Sequence, residues 1–136
     1  MNGQSERNFG QLGQVGKIGE NAACEYLKRN GYEIIGRNFR SGRNEIDIIC
    51  THENHVVFIE VKTRTAVNKG NGRFGSPASA VTYDKKKRII SAARDWLRQN
   101  RTGLYPRIDV IEVYLEKGTD RYRIIKINHF RNAVTA

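Results

Sequence analysis

Two short runs, EIDIIC (45–50) and VVFIEVKTR (56–64), set acids and a lysine among β-branched residues. Strands alternate their side chains between faces, so Val57, Ile59 and Val61 should point one way and Phe58, Glu60, Lys62 and Arg64 the other. The same alternation places Ile46 and Ile48 opposite Glu45 and Asp47. If the two strands pair through the THENH turn (51–55), Asp47 comes close to Glu60, and an Asp, a Glu and a Lys share one patch of sheet. Charges on such a strand carry a desolvation cost unless they are compensated. A divalent cation would compensate them: magnesium takes one or two carboxylates and keeps its other positions for water and substrate phosphate. It polarises the phosphate and activates water, while a neighbouring lysine stabilises developing charge or positions the nucleophile. On spacing alone, a solvated Glu60–Lys62 ion pair explains the E-x-K pattern equally well.

A helix upstream adds a further acid. From Val15 to Asn30, Ala23, Cys24 and Leu27 form an apolar stripe, with Glu25, Lys28 and Arg29 on the wet side. Glu20 lies three, four and seven residues before the stripe members and therefore faces the sheet, as a fourth member of the site. A first-turn Glu favoured by the helix dipole is the competing explanation. Gly31 supplies the helix stop.

The remaining elements are those needed to hold this constellation. Residues 1–14 are polar and glycine-rich and read as a mobile tail, leaving 15–136 as a single domain. Strands are expected at 32–40, 45–50 and 56–64, joined by SGRN and THENH into an antiparallel meander. Thr65 to Gly75 reads as a loop, Ser76-Pro77 as a helix start, and a longer helix follows Thr82 to about Asn100 with the stripe Ile89, Ala92, Ala93, Trp96 and Leu97. Strands at 107–115 and 122–128 complete a mixed sheet flanked by helices, an α/β fold.

Charge points to the partner. The formal net charge is +10, and the segment Lys62–Arg107 holds twelve Lys/Arg against Asp84 and Asp95, so the whole excess falls there. One side of the molecule is thus expected to face a polyanion, with Arg64, Lys69, Arg73, Lys85, Lys86, Lys87 and Arg88 as its nucleic-acid-binding residues. No run approaches the roughly twenty apolar residues of a membrane span, and no secretory signal is visible, which makes the cytoplasm the expected address. Cys24 and Cys50 lie outside any metal-ligand spacing and are expected to be buried thiols; His52, His55 and His129 show no ligand pattern, which argues against zinc.

Taken together, GKIGENAACEYLKRNGYEIIGRNFR (16–40), NEIDIIC (44–50), VVFIEVKTR (56–64) and FGSPASAVTYDKKKRII (74–90) resemble, in order and spacing, the YraN-like family of small bacterial proteins. That family is assigned to the PD-(D/E)XK nuclease superfamily and looks most like archaeal-type Holliday junction resolvases. The resemblance covers roughly residues 16 to 115 and implies a restriction-endonuclease-like α-β-β-β-α-β core with the site where the central strands diverge. Position by position it implies Glu20 as the helix acid, Asp47 as central metal ligand, Glu60 as second ligand with Val61 counted in the metal set, and Lys62 as motif lysine. Lys85 matches a family lysine directed at the scissile phosphate; membership of a solvated KKKR run is its alternative. Asn44 stands where the family commonly has glycine, a departure that touches a turn and not the ligands.

The expected function is a Mg²⁺- or Mn²⁺-dependent endonuclease acting on DNA, duplex or branched, through metal-activated water. A homodimer follows by analogy if both strands of a junction are cut. The alternative is a nucleic-acid-binding protein with a vestigial nuclease site. An RNA-binding accessory role is weaker, since no RNP aromatic pattern is present.

Overall fold

Alternating apolar residues in the runs described above form five strands, and the chain order is α1 (Gly3–Arg29), β1 (Glu33–Ser41), β2 (Asn44–His52), β3 (His55–Thr65), α2 (Tyr83–Gln99), β4 (Tyr105–Lys117) and β5 (Tyr122–Val134). The computed structural model describes residues 3–65 and 82–135, with side chains from residue 14 onward. The loop expected at 65–75 beyond Thr65 and the helix start at Ser76-Pro77 lie outside the described residues, as do Lys69 and Arg73.

The sheet order is β1-β2-β3-β4-β5. β1, β2 and β3 form the expected antiparallel meander, β3 and β4 pair in parallel across α2, and β4 and β5 are antiparallel. The result is a mixed α/β fold in which a five-stranded sheet lies between two helices. α1 packs on one face over Ile48, Cys50, Val57, Ile59, Ile111 and Val113. α2 packs on the other, its Ile89, Ala92 and Ala93 meeting Ile46, Ile49, Phe58 and Ile108. Both cysteines are buried free thiols, as their isolation in sequence suggested, and burial pushes the Cys50 thiol up to about 12.

The ends of the elements follow from local chemistry. α1 closes in a Schellman motif: Gly31 takes a φ of 85°, the Tyr32 amide donates to Leu27 O at 2.9 Å, and the Gly31 amide donates to Lys28 O at 3.2 Å. Buried Tyr32 then leads directly into β1. The helix backbone begins at Gly3 and so passes through the segment that composition reads as a tail. α2 starts where expected, with the Thr82 side chain accepting from the Lys85 amide at 3.2 Å. The β1–β2 turn uses Gly42 at φ 62°, a left-handed position that glycine adopts without strain.

A buried polar network fastens the face of the sheet that α1 covers. Asp109 on β4 is fully buried and accepts from Arg107 Nε at 2.9 Å and from the Asn132 amide at 2.8 Å. His129 Nε2 lies 2.7 Å from the same carboxylate and its Nδ1 lies 2.9 Å from Tyr26 Oη, while Arg107 also donates to Tyr32 Oη at 2.9 Å. α1, β1, β4 and β5 thus meet in one cluster. Burial alone would raise the Asp109 carboxyl, but the hydrogen bonds from His129, Arg107 and the Asn132 amide outweigh it and hold the group below the usual carboxylate range. Its contribution is therefore present above the unfolded value near 4 and is lost as pH falls through the lower folded value. Asp109→Ala leaves the part-buried Arg107 without its carboxylate partner and should cost about 3–5 kcal/mol in urea unfolding followed by the fluorescence of Trp96. A loss below about 1 kcal/mol would mean that the network contributes no more than an exposed ion pair.

Candidate active site

β2 and β3 pair from His52↔His55 as far as Ile48↔Ile59 and then part, β2 continuing beside β1 to Asn44 and β3 beside β4 to Thr65. Beyond the fork, the Val61 amide has no β2 backbone partner, and Asp47 Oδ2 accepts its proton at 2.7 Å. A side chain thus replaces the ladder bond that the part-buried amide lacks. The opening forms a cleft of about 230 Å³ lined by Arg43, Asn44, Glu45, Asp47, Glu60, Lys85, Arg88 and Ile89.

The fork also changes which way β2 faces. Alternation in the sequence put Ile46 and Ile48 on one side, but Ile48 packs under α1 whereas Ile46 packs under α2 with Ile49. The neighbouring strand turns over at the same level: Arg37 pairs with Ile48, Phe39 pairs with Ile46, and between them Asn38 adopts a φ of 54°. Arg37 reaches α1 while Phe39 packs against the α2 cluster. Asp47 sits at this face change, which is why it can both cap the Val61 amide and line the cleft on the α2 side.

Glu60 is buried, and its Oε1 lies 2.8 Å from Lys85 Nζ on the first turn of α2. Burial and then the Glu60 charge push the Asp47 carboxyl up to about 7, against the opposing hydrogen bond from Val61, with Glu20 and Glu45 adding smaller contributions. Lys62, two residues beyond Glu60 on the same face, is held below the usual lysine range by burial and by the positive charge of Lys85. The expected trio is therefore brought into one electrostatic unit.

Glu20 approaches from the other helix. Its Oε1 accepts from Arg37 Nη2 at 2.8 Å, Arg37 Nε at 3.0 Å and Asn38 Nδ2 at 3.1 Å, so it is tied to the strand residues at the fork and does not line the cleft. Gly19 permits this: a Cβ there would overlap Thr63 Oγ1 on β3, so only glycine lets α1 lie this close to the sheet.

The basic residues divide between surfaces. Lys85 and Arg88 line the cleft, Lys86 and Lys87 lie on another flank of α2, and Arg64 lies 3.9 Å from Glu112. The sequence reading did not single out Arg43, Glu45 or Glu112. Glu112, fully buried on β4 beside Lys62, accepts from Tyr114 Oη at 2.7 Å and leaves Oε2 without a hydrogen bond. Its signal was an acid inside the β-branched run IDVIEVYL, the same sign that drew attention to Asp47.

No group of three or more His, Cys, Asp and Glu side chains suited to a metal occurs among the described residues. The donor set is the Asp47–Glu60 pair, which fits a hard cation that takes one or two carboxylates and does not fit zinc. The raised Asp47 carboxyl is the observation that a cation would relieve. Val61 takes part here through its amide, as donor to Asp47.

These features define a small α/β protein with an acid pair set in a forked sheet. Residues 19–113 match the family described as "Uncharacterised protein family UPF0102", and the chain belongs to that family. It is 41% identical over 120 residues to the UPF0102 protein TTE1452 of Caldanaerobacter subterraneus subsp. tengcongensis, covering 88% of this chain and 93% of that one. A UPF0102 protein of Chloroherpeton thalassium is 45% identical over 103 residues (75% of this chain, 76% of that one), and one of Bacteroides thetaiotaomicron 41% over 113 residues (83% and 89%).

A carboxyl raised from 3.8 to about 7 costs stability once it ionises. The stabilisation from neutral Asp47 is fully present below about 4 and is lost as pH rises through about 7 in chelator-treated protein. Asp47→Asn keeps an acceptor for Val61 without the charge. It should be more stable than wild type at about pH 8, the advantage shrinking towards pH 4. Parallel stability curves for the two proteins would place the Asp47 carboxyl in the ordinary range.

Proposed function

We propose that this protein is a Mg²⁺- or Mn²⁺-dependent endonuclease acting on DNA, with a restriction-endonuclease-like core and a PD-(D/E)XK-type site. The observation that carries this reading is the pairing of half-buried Asp47 with buried Glu60 at the fork of β2 and β3, with Lys62 next on the same strand face. Asp47 and Glu60 would hold the cation, and Val61 adjoins both. Bound there, a divalent cation supplies Lewis-acid polarisation of a phosphate oxygen and a lowered pKa for water.

The chain's own groups account for the rest. In-line attack of water forms one P–O bond and breaks another, and a proton must leave the water and reach the departing oxygen. Lys62 holds its proton less firmly than a solvated lysine and would stabilise the charge that grows on the phosphate. Arg43 and Arg88 on the cleft walls would hold flanking phosphates. Lys85 either follows the scissile phosphate or stays with Glu60. Glu20, by fixing Arg37 and Asn38, holds the fork open behind Asp47. The expected address is the cytoplasm, and no helix among the described residues is long and apolar enough to cross a membrane.

One observation favours a second reading, a DNA-binding protein with a vestigial site: the 2.8 Å Lys85–Glu60 ion pair occupies a carboxylate oxygen that a cation would use. A panel of single-stranded, duplex, flap and four-way DNA with Mg²⁺ and Mn²⁺ separates the two. Lys62→Ala should slow cleavage by about 10² or more while leaving DNA affinity nearly unchanged, because one lysine carries little of the total attraction. Binding without cleavage across the whole panel would favour the second reading. Cleavage indifferent to Lys62→Ala would show that the catalytic group lies elsewhere.

A further inference from the structure

The cations of α2 lie on two flanks. Lys85 and Arg88 line the cleft, whereas Lys86, Lys87, Arg94 and Arg98 line a separate groove of about 710 Å³ between α2 and Thr135, at the end of β5. Among the described residues no acid lines this groove. Arg98 pairs with Asp95, but Lys86, Lys87 and Arg94 have no acidic partner among the described residues. From Lys87 to Arg98 the helix advances roughly 16 Å, several times the 3.4 Å advance per nucleotide of a DNA strand, so the cations can meet more than one phosphate.

The groove also offers something to a base. Tyr83, at the start of α2, is 70% exposed, and Lys87 Nζ lies 4.5 Å from its ring centroid. A cation thus lies over one face of an exposed aromatic ring. Ile90 and Arg94 lead on to an adjoining recess of about 240 Å³ walled by Phe58, Leu97 and Ile108. A duplex hides its base faces in its own stack and would use only the cations, whereas a single strand presents both phosphates and bases.

We propose that this groove is a second nucleic-acid site, which holds a single-stranded segment outside the cleft, with its phosphates on Lys86, Lys87 and Arg94 and a base on Tyr83. The site rests on the reading of the protein as one that handles nucleic acid, but it concerns binding alone, and chelator-treated protein suffices to test it.

Fluorescence anisotropy with a labelled oligothymidine, and with a duplex of the same length, tests the assignment in the absence of divalent metal. Tyr83→Ala should weaken single-strand binding by about tenfold, with Tyr83→Phe close to wild type and duplex affinity within about twofold. Arg94→Glu should weaken single-strand binding and flatten its salt dependence by about 0.7 per lost phosphate contact. The exposed Tyr83 ring bears little on folding, so Tyr83→Ala should keep the wild-type unfolding transition. Absence of single-strand binding by wild type, an unchanged affinity in Tyr83→Ala, or equal losses on both oligonucleotides would overturn the site. Binding is read without divalent metal and without cleavage, so failure of the cleavage reading leaves this inference standing.

Discussion

The hydrogen bond from the Val61 amide to the Asp47 carboxylate holds the structure of the site together. A sheet whose central strands separate must find other partners for the amides it strands, and here the partner is an acid from the departing strand. That bond fixes Asp47 at the mouth of the fork and brings its charge against Glu60. It also requires β2 to turn over at this level, and Asn38 on the adjoining strand takes a left-handed conformation to match. The cleft is therefore a product of the sheet's own divergence, and α2 walls it on one face.

The electrostatics follow from that placement. Asp47, Glu60 and Glu20 converge on the fork from two strands and a helix, and burial makes their mutual repulsion costly. Arg37 answers Glu20, Lys85 answers Glu60, and Asp47 is left with a neutral amide and a raised carboxyl. Of the three acids, it has the most to gain from an added cation. Lys62 is the complementary case, a half-buried amine pressed by Lys85 and placed beside the fully buried Glu112. The surroundings thus raise the Asp47 carboxyl and lower the Lys62 amine from the same stretch of the fork.

Period-two alternation correctly placed Glu60 and Lys62 on one face, because β3 remains paired with β4 along its whole length. The same rule failed for Ile46 and Ile48, because β2 loses its β3 partner between them and the alternation slips at Asp47. The helical stripe of α1 correctly set Glu20 towards the sheet. It could not reveal that Glu20 would be held by Arg37 and Asn38, a contact that depends on the left-handed residue in β1. The run KKKR gave no hint of its division between cleft and groove, since that depends on where Thr135 and the end of β5 lie against α2. Asp109 and Glu112 were legible in principle as acids within an apolar strand, but only the fold distinguishes the one that anchors β5 from the one beside Lys62.

The most direct test of the acid pair as a cation site is carboxyl ¹³C NMR of Asp47 and Glu60, with pH varied first in chelator and then in Mg²⁺. In chelator, Asp47 should titrate near 7. With Mg²⁺ its titration should move well down, and both resonances should shift together along one saturable curve, since a cation held by the two carboxylates competes with the proton. Resonances of Asp47 and Glu60 that ignore Mg²⁺ in the folded protein would contradict the assignment, and the acid pair would then be a structural feature of the fork alone.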